Sequence, residues 1–414
     1  MARVPEGWRV APLGELVRER IKNGFSPNCP DQPTGRWTLS LSAVTPFGFD
    51  PTATKPAPLE DSKVEEKRLQ SGDLLISRSN TRERVGLAGI YRGSPEWCSY
   101  PDLLMRIRPD KEQVLVEYLE AFLLSHHGRS YFESRARGTS GSMVKINRPI
   151  VEEMPIVVPP LPEQERIVRA LSSVDGSIQT TQAVLDHARK VKEGLLARLL
   201  TRGIGHKRFK KSAGGLIPEA WRVARIVDLI EPVSRPVEVE KDEIYQEIGI
   251  RSHGKGIFHK KHVPGRALGE KRVFWVDSET LILNIVFAWE GAVAVSSSEE
   301  EGMIASHRFP MYASKPGMVD LEYLCMVLTS PVGTSLLGIA SPGGAGRNRT
   351  LNRGEFLRSK IVIPPLQEQL EIVRISRQLE NTIELQDAEF GRLQTLRTGL
   401  LQDLLTGRVR VPTA

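Results

Sequence analysis

Ile156-Val-Val-Pro-Pro-Leu-Pro-Glu-Gln164 and Ile361-Val-Ile-Pro-Pro-Leu-Gln-Glu-Gln369 are one passage written twice, 205 residues apart. The register holds without a gap from about residue 117 to 203, pairing Gly194-Leu-Leu196 with Gly399-Leu-Leu401 and Leu199-Leu-Thr201 with Leu404-Leu-Thr406. Upstream, Val4-Pro-Glu-Gly-Trp-Arg-Val-Ala11 returns as Ile217-Pro-Glu-Ala-Trp-Arg-Val-Ala224, at an offset of 213. One repeat of this length in 414 residues is a duplication, not a solenoid. Between the matching ends, residues 18–110 and 231–315 share patterning, such as Leu74-Leu-Ile76 opposite Leu281-Ile-Leu283, but little identity. Alike ends around unlike middles suit a protein that reads two different things from two equal scaffolds.

Each Pro-Pro pair predicts the start of a long helix. Pro162 suits a first-turn position, Glu163 and Glu165 favour the positive end of the helix dipole, and no further proline appears until Pro218. Ile167, Leu171, Val174, Ile178, Thr181, Leu185, Ala188, Lys192, Leu195 and Leu199 alternate steps of four and three. Adding 205 gives Ile372, Ser376, Leu379, Ile383, Gln386, Phe390, Leu393, Arg397, Leu400 and Leu404, a second coiled-coil seam. At about 1.5 Å per residue, 163–201 spans about 58 Å. The short connection over 202–216 favours two antiparallel helices with a globule at each end. Two independent helices, each packed on its own globule, are the competing reading. Gly176 and Gly194 permit a local break, and Thr181, Gln386, Lys192 and Arg397 interrupt the apolar seam. The divergent segments read as short strands and loops, notably 281–288 and 291–295, followed by helical pieces at 116–125 and 321–330.

The 57 basic and 50 acidic residues leave a net charge of +7, mild overall but unevenly spread, which leans towards an acidic partner. Cys29, Cys98 and Cys325 are far apart and form no CxxC pair, as expected of reduced thiols in a cytoplasmic protein. The opening MARVPEGWRV has no apolar signal region, and no run of about 18 uncharged apolar residues suggests a membrane span.

Basic stretches are the candidate contacts. Within 251–272, Arg251, Lys255, Lys260 and Lys261 lead a loop holding seven cations against Glu270 alone, with His253, His259 and His262 interleaved. Phosphates would neutralise it, and Arg or Lys could reach base edges in the major groove; an ordinary solvated loop is the alternative. As a zinc site the three histidines lack a cysteine or carboxylate to complete the set. In the first half, Arg78-Ser-Asn-Thr-Arg82-Glu-Arg84 is the counterpart, or else a surface turn with partnered charges. Gly-rich segments 138–148 and 343–353 match at offset 205 and offer Lys145, Arg148, Arg347, Arg349 and Arg353 beside exposed backbone N–H groups. Their likeness suggests positioning rather than specifying, or a structural strand entry. Trp8 and Trp221 read as core; Trp289-Glu290 reads either as a packed indole beside a base-accepting carboxylate or as core with a partnered acid.

The twofold Pro-Glu-x-Trp start, the doubled Ile-x-x-Pro-Pro-Leu-x-Glu-Gln and the Gly-Leu-Leu-x-x-Leu-Leu-Thr helix ends resemble the specificity subunit of type I restriction-modification enzymes. Ile248-Gly-Ile-Arg-Ser-His-Gly-Lys-Gly-Ile-Phe258 with Val286-Phe-Ala-Trp-Glu-Gly-Ala292 is similar to one type of target-recognition domain. The resemblance implies an α+β chain of pseudo-twofold design. Target-recognition domains at 1–158 and 217–363 are each followed by a long helix, 159–203 and 364–408, with a linker at 204–216 and a tail at 409–414. It implies that each domain reads half of a split DNA target, while the antiparallel helices set the gap and dock two methyltransferase subunits. Motor-nuclease subunits join for cleavage. S-adenosylmethionine would belong to the methyltransferase, ATP and Mg to the motor-nuclease, and no cofactor to this chain. The residues agree, since no Asn/Asp-Pro-Pro-aromatic or GxxxxGK[ST] motif occurs. Asp31 with Glu65-Glu66-Lys67 reads more simply as a solvated face than as a nuclease. The recognition part of a fused methyltransferase-nuclease is the alternative.

Overall fold

The computed structural model describes residues 4–138, 143–212, 215–343 and 349–411. Its contacts divide the chain into two units, Met1–Ala183 with Asp387–Ala414, and Val184–Gln386. Each unit holds one globule, the first half of that globule's own long helix and the last half of the other.

The duplicated ends build the same frame in both units. Arg9–Pro12 pairs antiparallel with Pro155–Val158, Arg9 opposite Val158; Arg222–Arg225 pairs with Lys360–Ile363, Arg222 opposite Ile363. Alternation puts Ile156 and Val158, and likewise Ile361 and Ile363, into their cores. The Pro-Pro pair then ends each strand, having no N–H to extend the ladder. Two helices follow, Leu161–Arg202 and Leu366–Leu405, both continuous through their exposed glycines, Gly176 and Gly194 included. Gly203 (φ +65°) and Gly407 (φ +69°) lie just past the helix ends in the left-handed region that an L side chain resists. A Cβ on Gly203 would also lie 2.8 Å from the Trp221 indole.

All twenty seam positions are buried or half-buried. In the first unit Ile167 and Leu171 share a core with Leu400, Leu401, Leu404 and Leu405. In the second, Leu195, Leu199 and Leu200 share one with Ile372, Val373 and Ile375. Rising numbers on one helix meet falling numbers on the other, so the packing within each unit is antiparallel. The polar interruptions are matched by partners. Lys192 Nζ lies 2.7 Å from Glu380 Oε1 in the second unit, and Arg397 pairs with Asp175 in the first. The offset of 205 relates 175 to 380 and 192 to 397, so one cross-helix pair is built twice.

The patterned middles also correspond. A four-stranded antiparallel sheet in the first unit runs Lys22–Asn23, Leu104–Ile107, Asp73–Ser77, Ala88–Tyr91; the second runs Ile230–Val233, Met311–Ser314, Leu281–Leu283, Val293–Val295. Asp73–Ser77 and Leu281–Leu283 occupy the same place and are buried throughout, as their apolar runs require. The helical pieces form Val116–Leu124 and Leu321–Thr329. The units part company in their second sheets. The first has Cys98–Ser99, Trp37–Leu39 and Thr54–Pro56; the second has Ile257–Pro264, Ile244–Ile250, Ile304–Ser306 and Val273–Trp275. No single helix among the described residues is long and apolar enough to cross a membrane.

Candidate nucleic-acid interface

The repeated motifs serve the frame rather than a ligand. Trp8 Nε1 donates to Glu163 Oε2 at 2.9 Å, and Arg410 Nη2 to the same oxygen at 2.6 Å. In the second unit Trp221 Nε1 donates to Glu368 Oε2 at 3.0 Å, and His206 Nε2 lies 2.9 Å from Oε1. Gln164 accepts from Leu115 N at 2.8 Å and donates to Pro159 O; Gln369 accepts from Asp320 N at 2.9 Å and donates to Pro364 O. Glu-Gln therefore ties each long helix to its globule, and both tryptophans are buried, as their sequence setting suggested. The three cysteines are free, and burial pushes the Cys98 and Cys325 thiols up to about 12, so neither is a reactive thiolate.

In the first unit two sequence-distant candidates come together. Ser79–Asn80 pairs antiparallel with Val144–Lys145, which places Lys145 opposite the residue after Arg78. Arg78 and Arg148 line one open cleft. Arg78 Nη1 donates to Asp102 O at 3.3 Å, and Arg82 Nη1 to Glu133 O at 2.9 Å. Arg82, Arg84 and Lys145 are exposed. The cleft also gathers Arg20, Lys22 and Lys67, which the sequence did not single out. Asn147 does not face a ligand with its oxygen: Oδ1 accepts from Ile150 N at 3.1 Å and caps the short helix Arg148–Glu152.

In the second unit the basic stretch is not the loop expected at 251–272. Residues 251–256 are the turn of a hairpin whose arms are Ile244–Ile250 and Ile257–Pro264, and the latter is the sheet's edge strand. The register slips between Gln246 and Ile248, so the Lys260-Lys261 side carries the extra residue. Such a bulge bends an edge and re-aims its side chains. His259, Lys260, Lys261 and His262 are all exposed there. Lys260 lies 3.6 Å from Glu247, while Lys261 has no ion pair among the described residues.

The turn packs against the segment around Trp289. His253 adopts φ +62°, and its N–H donates to Glu290 O at 2.7 Å; Ser252 Oγ donates to Glu290 Oε2 at 2.8 Å. Glu290 is thus the partnered acid of the two sequence readings. Arg251 closes the turn, donating to Ile257 O at 3.3 Å with its guanidinium 5.0 Å from the Phe258 ring, and Lys255 stays exposed. Arg349 joins this group, 5.3 Å from the Trp289 ring, and Arg353 donates to His307 O at 2.8 Å. Arg347 lies outside the described residues. His253, His259 and His262 do not gather into a metal set. Among the described residues His259 instead meets Glu299 and Glu300, with His259 Nε2 2.6 Å from Glu300 Oε1. Burial raises the Glu300 pKa, but hydrogen bonds from His259 and Ser297 outweigh it and hold the carboxyl below its usual range.

Residues 54–188 match the family described as the type I restriction modification DNA specificity domain. A type I restriction enzyme specificity subunit of Methanocaldococcus jannaschii is 23% identical across 99% of this chain and 94% of its own length. Two solved chains share the fold. The HsdS subunit from Thermoanaerobacter tengcongensis has a TM-score of 0.51 at 17% identity, covering 98% of each chain. The S subunit of a type I restriction-modification system from M. genitalium has a TM-score of 0.55 at 12% identity, covering 100% of this chain and 98% of that one.

Proposed function

We infer from the match of residues 54–188 to the type I restriction modification DNA specificity domain, and from the similarity of the chain to type I restriction enzyme specificity subunits, that this chain is the DNA-recognising, non-catalytic member of such a system. On that premise each unit reads one half of a bipartite target in double-stranded DNA. The long helices dock two methyltransferase subunits and fix the gap between the halves, and motor-nuclease subunits join for cleavage. S-adenosylmethionine then belongs to the methyltransferase partner, ATP and Mg to the motor-nuclease.

The observation that carries this reading is the contrast within the duplication. Strand pair and cross-helix ion pair recur position for position, and the Trp–Glu clasp recurs with His206 in the role of Arg410, whereas the exposed basic groups outside the matching segments 138–148 and 343–353 sit on unlike elements. The first unit offers Arg82 and Arg84 beside Ser79–Asn80, the second Lys255, Lys260 and Lys261 on the bulged hairpin, while Lys145 and Arg349 lie on the matching segments. Equal frames with unlike basic surfaces serve two different half-sites. Docking on the helices is supported by exposed apolar positions equivalent at offset 205, Val191 at 44% and Leu396 at 50% exposure.

A host carrying this chain and its cognate methyltransferase is expected to gain adenine methylation at a two-part motif, mapped by methylome sequencing. The purified chain alone is expected neither to methylate nor to cleave. Turnover of S-adenosylmethionine by the chain alone would overturn the assignment.

A further inference from the structure

We propose that the open cleft of about 600 Å³ in the first unit is a seat for backbone phosphates of duplex DNA, holding the duplex without reading its sequence. The proposal rests on the DNA-recognition reading above and assigns that unit a positioning site of its own.

Arg20, Lys22, Lys67, Arg78 and Arg148 line the cleft together with Asn23 and Asn147, and among the described residues no carboxylate lines it. These cations come from separate stretches of sequence, so only the fold brings them together. Like charges so gathered repel unless an anion lies among them. Internal partners are few. Lys22 has Glu19 at 3.7 Å and Arg148 has Glu152 at 3.4 Å, but Arg20, Lys67 and Arg78 form no ion pair among the described residues. Arg148 Nε is buried, and despite the nearby Glu152 its N–H finds no acceptor of suitable geometry. A phosphate would supply acceptors to several of these donors at once.

The wall is also held in place. Lys22–Asn23 pairs with the strand Leu104–Ile107, and behind it Arg108 bridges Asp73 at 2.5 Å and Glu19 at 2.8 Å. Arg106, 5% exposed, adds a contact to Glu19 at 3.4 Å. Burial raises the Glu19 pKa, but the hydrogen bond and charge of Arg108, with Arg106 and Lys22, prevail and hold the carboxyl below its usual range. This network fixes the 19–23 segment before any ligand arrives. The chemistry suits backbone rather than bases. Asn147 spends its oxygen on a helix cap and Ile21 offers no polar side chain, so what the cleft presents is mainly cationic donors, the groups that most contacts to phosphate use.

The test uses the full-length chain, random-sequence duplexes and fluorescence anisotropy across a salt series. Arg20→Ala with Lys67→Ala is expected to weaken binding at least tenfold and to lower the slope of log affinity against log salt by about one per cation removed. Arg20→Lys should restore most of the slope for that position, and an unchanged thermal midpoint excludes misfolding as the cause. Selection from a randomised duplex pool should enrich the same motif for wild type and variant. If wild type binds duplex but the double variant keeps its full salt slope, the cleft is not the seat. A changed enriched motif would show base reading instead and overturn the proposal equally. A wild-type chain with no salt-dependent duplex binding would sink the DNA-recognition reading itself, a result distinct from both.

Discussion

A carboxylate sealed between an indole N–H and a guanidinium, as Glu163 is between Trp8 and Arg410, stabilises the fold only while it is ionised. The hydrogen bond from Arg410 lowers its pKa from the ordinary 4.5; burial opposes this, and the Trp8 bond assists. Because the folded value is the lower one, the contribution is complete above the unfolded carboxyl's range and is lost as pH falls through the folded value. Glu163→Gln keeps the shape and removes the charge. It is expected to cost about 2 kcal/mol near neutrality, the usual worth of a hydrogen bond to a charged group. In urea melts that deficit should stay level above the ordinary carboxyl range and shrink as the pH falls below it. A deficit equal at both ends would mean that packing, not ionisation, is what the clasp supplies. The second unit places His206 where the first has Arg410, so the same clasp there is made with an imidazole.

Two elements that meet through polar residues need those residues to agree. Lys192 and Arg397 break the apolar seam in sequence, yet each finds an acid on the facing helix, Glu380 and Asp175. The Arg397 side chain is 17% exposed and that of Asp175 39%, so the pair is only partly screened. A double-mutant cycle with Arg397→Leu and Asp175→Leu is expected to give a coupling of about 0.5–1 kcal/mol, read from thermal or urea unfolding. Zero coupling would leave the match without energetic meaning. The seam itself was legible because a 3.5-residue period repeated over ten positions has one structural reading, and the apolar run at Leu281 was legible as a strand, although it ends at Leu283 and not at residue 288. The edge strand Ile257–Pro264 was not. Its His259-Lys-Lys-His262 centre is exposed on all four residues and bulged, so it carries no alternation and reads as a loop. Strands of two residues, such as Lys22–Asn23 and Val144–Lys145, leave no periodic trace at all. The basic cleft was illegible for another reason, since Arg20, Lys67, Arg78 and Arg148 become neighbours only through tertiary pairing. The glutamates of the clasp stood in the quoted motif, but nothing local names Trp8 and Trp221 as their donors.

Both long helices belong in part to each unit, so length added to them equivalently is shared by the whole chain. If they fix the gap between half-sites, seven residues inserted at equivalent points of both helices keep the seam in phase and add about 10 Å to each. At about 3.4 Å per base pair, the recognised halves should stay unchanged while the gap grows by about three pairs. Three pairs also turn one half-site by about 100° about the duplex axis, taking about 10.5 pairs per turn. Affinity is therefore expected to fall even where the new gap is accepted. An insertion of three or four residues makes the sharper contrast, because it carries the apolar positions off the seam and should destabilise the helix pair rather than re-measure the DNA. The two variants can be compared by mapping methylation, in the presence of the cognate methyltransferase, over a library with randomised gaps. Activity of the seven-residue variant at the original gap, or a change in its half-sites, would show that the helices are not the ruler.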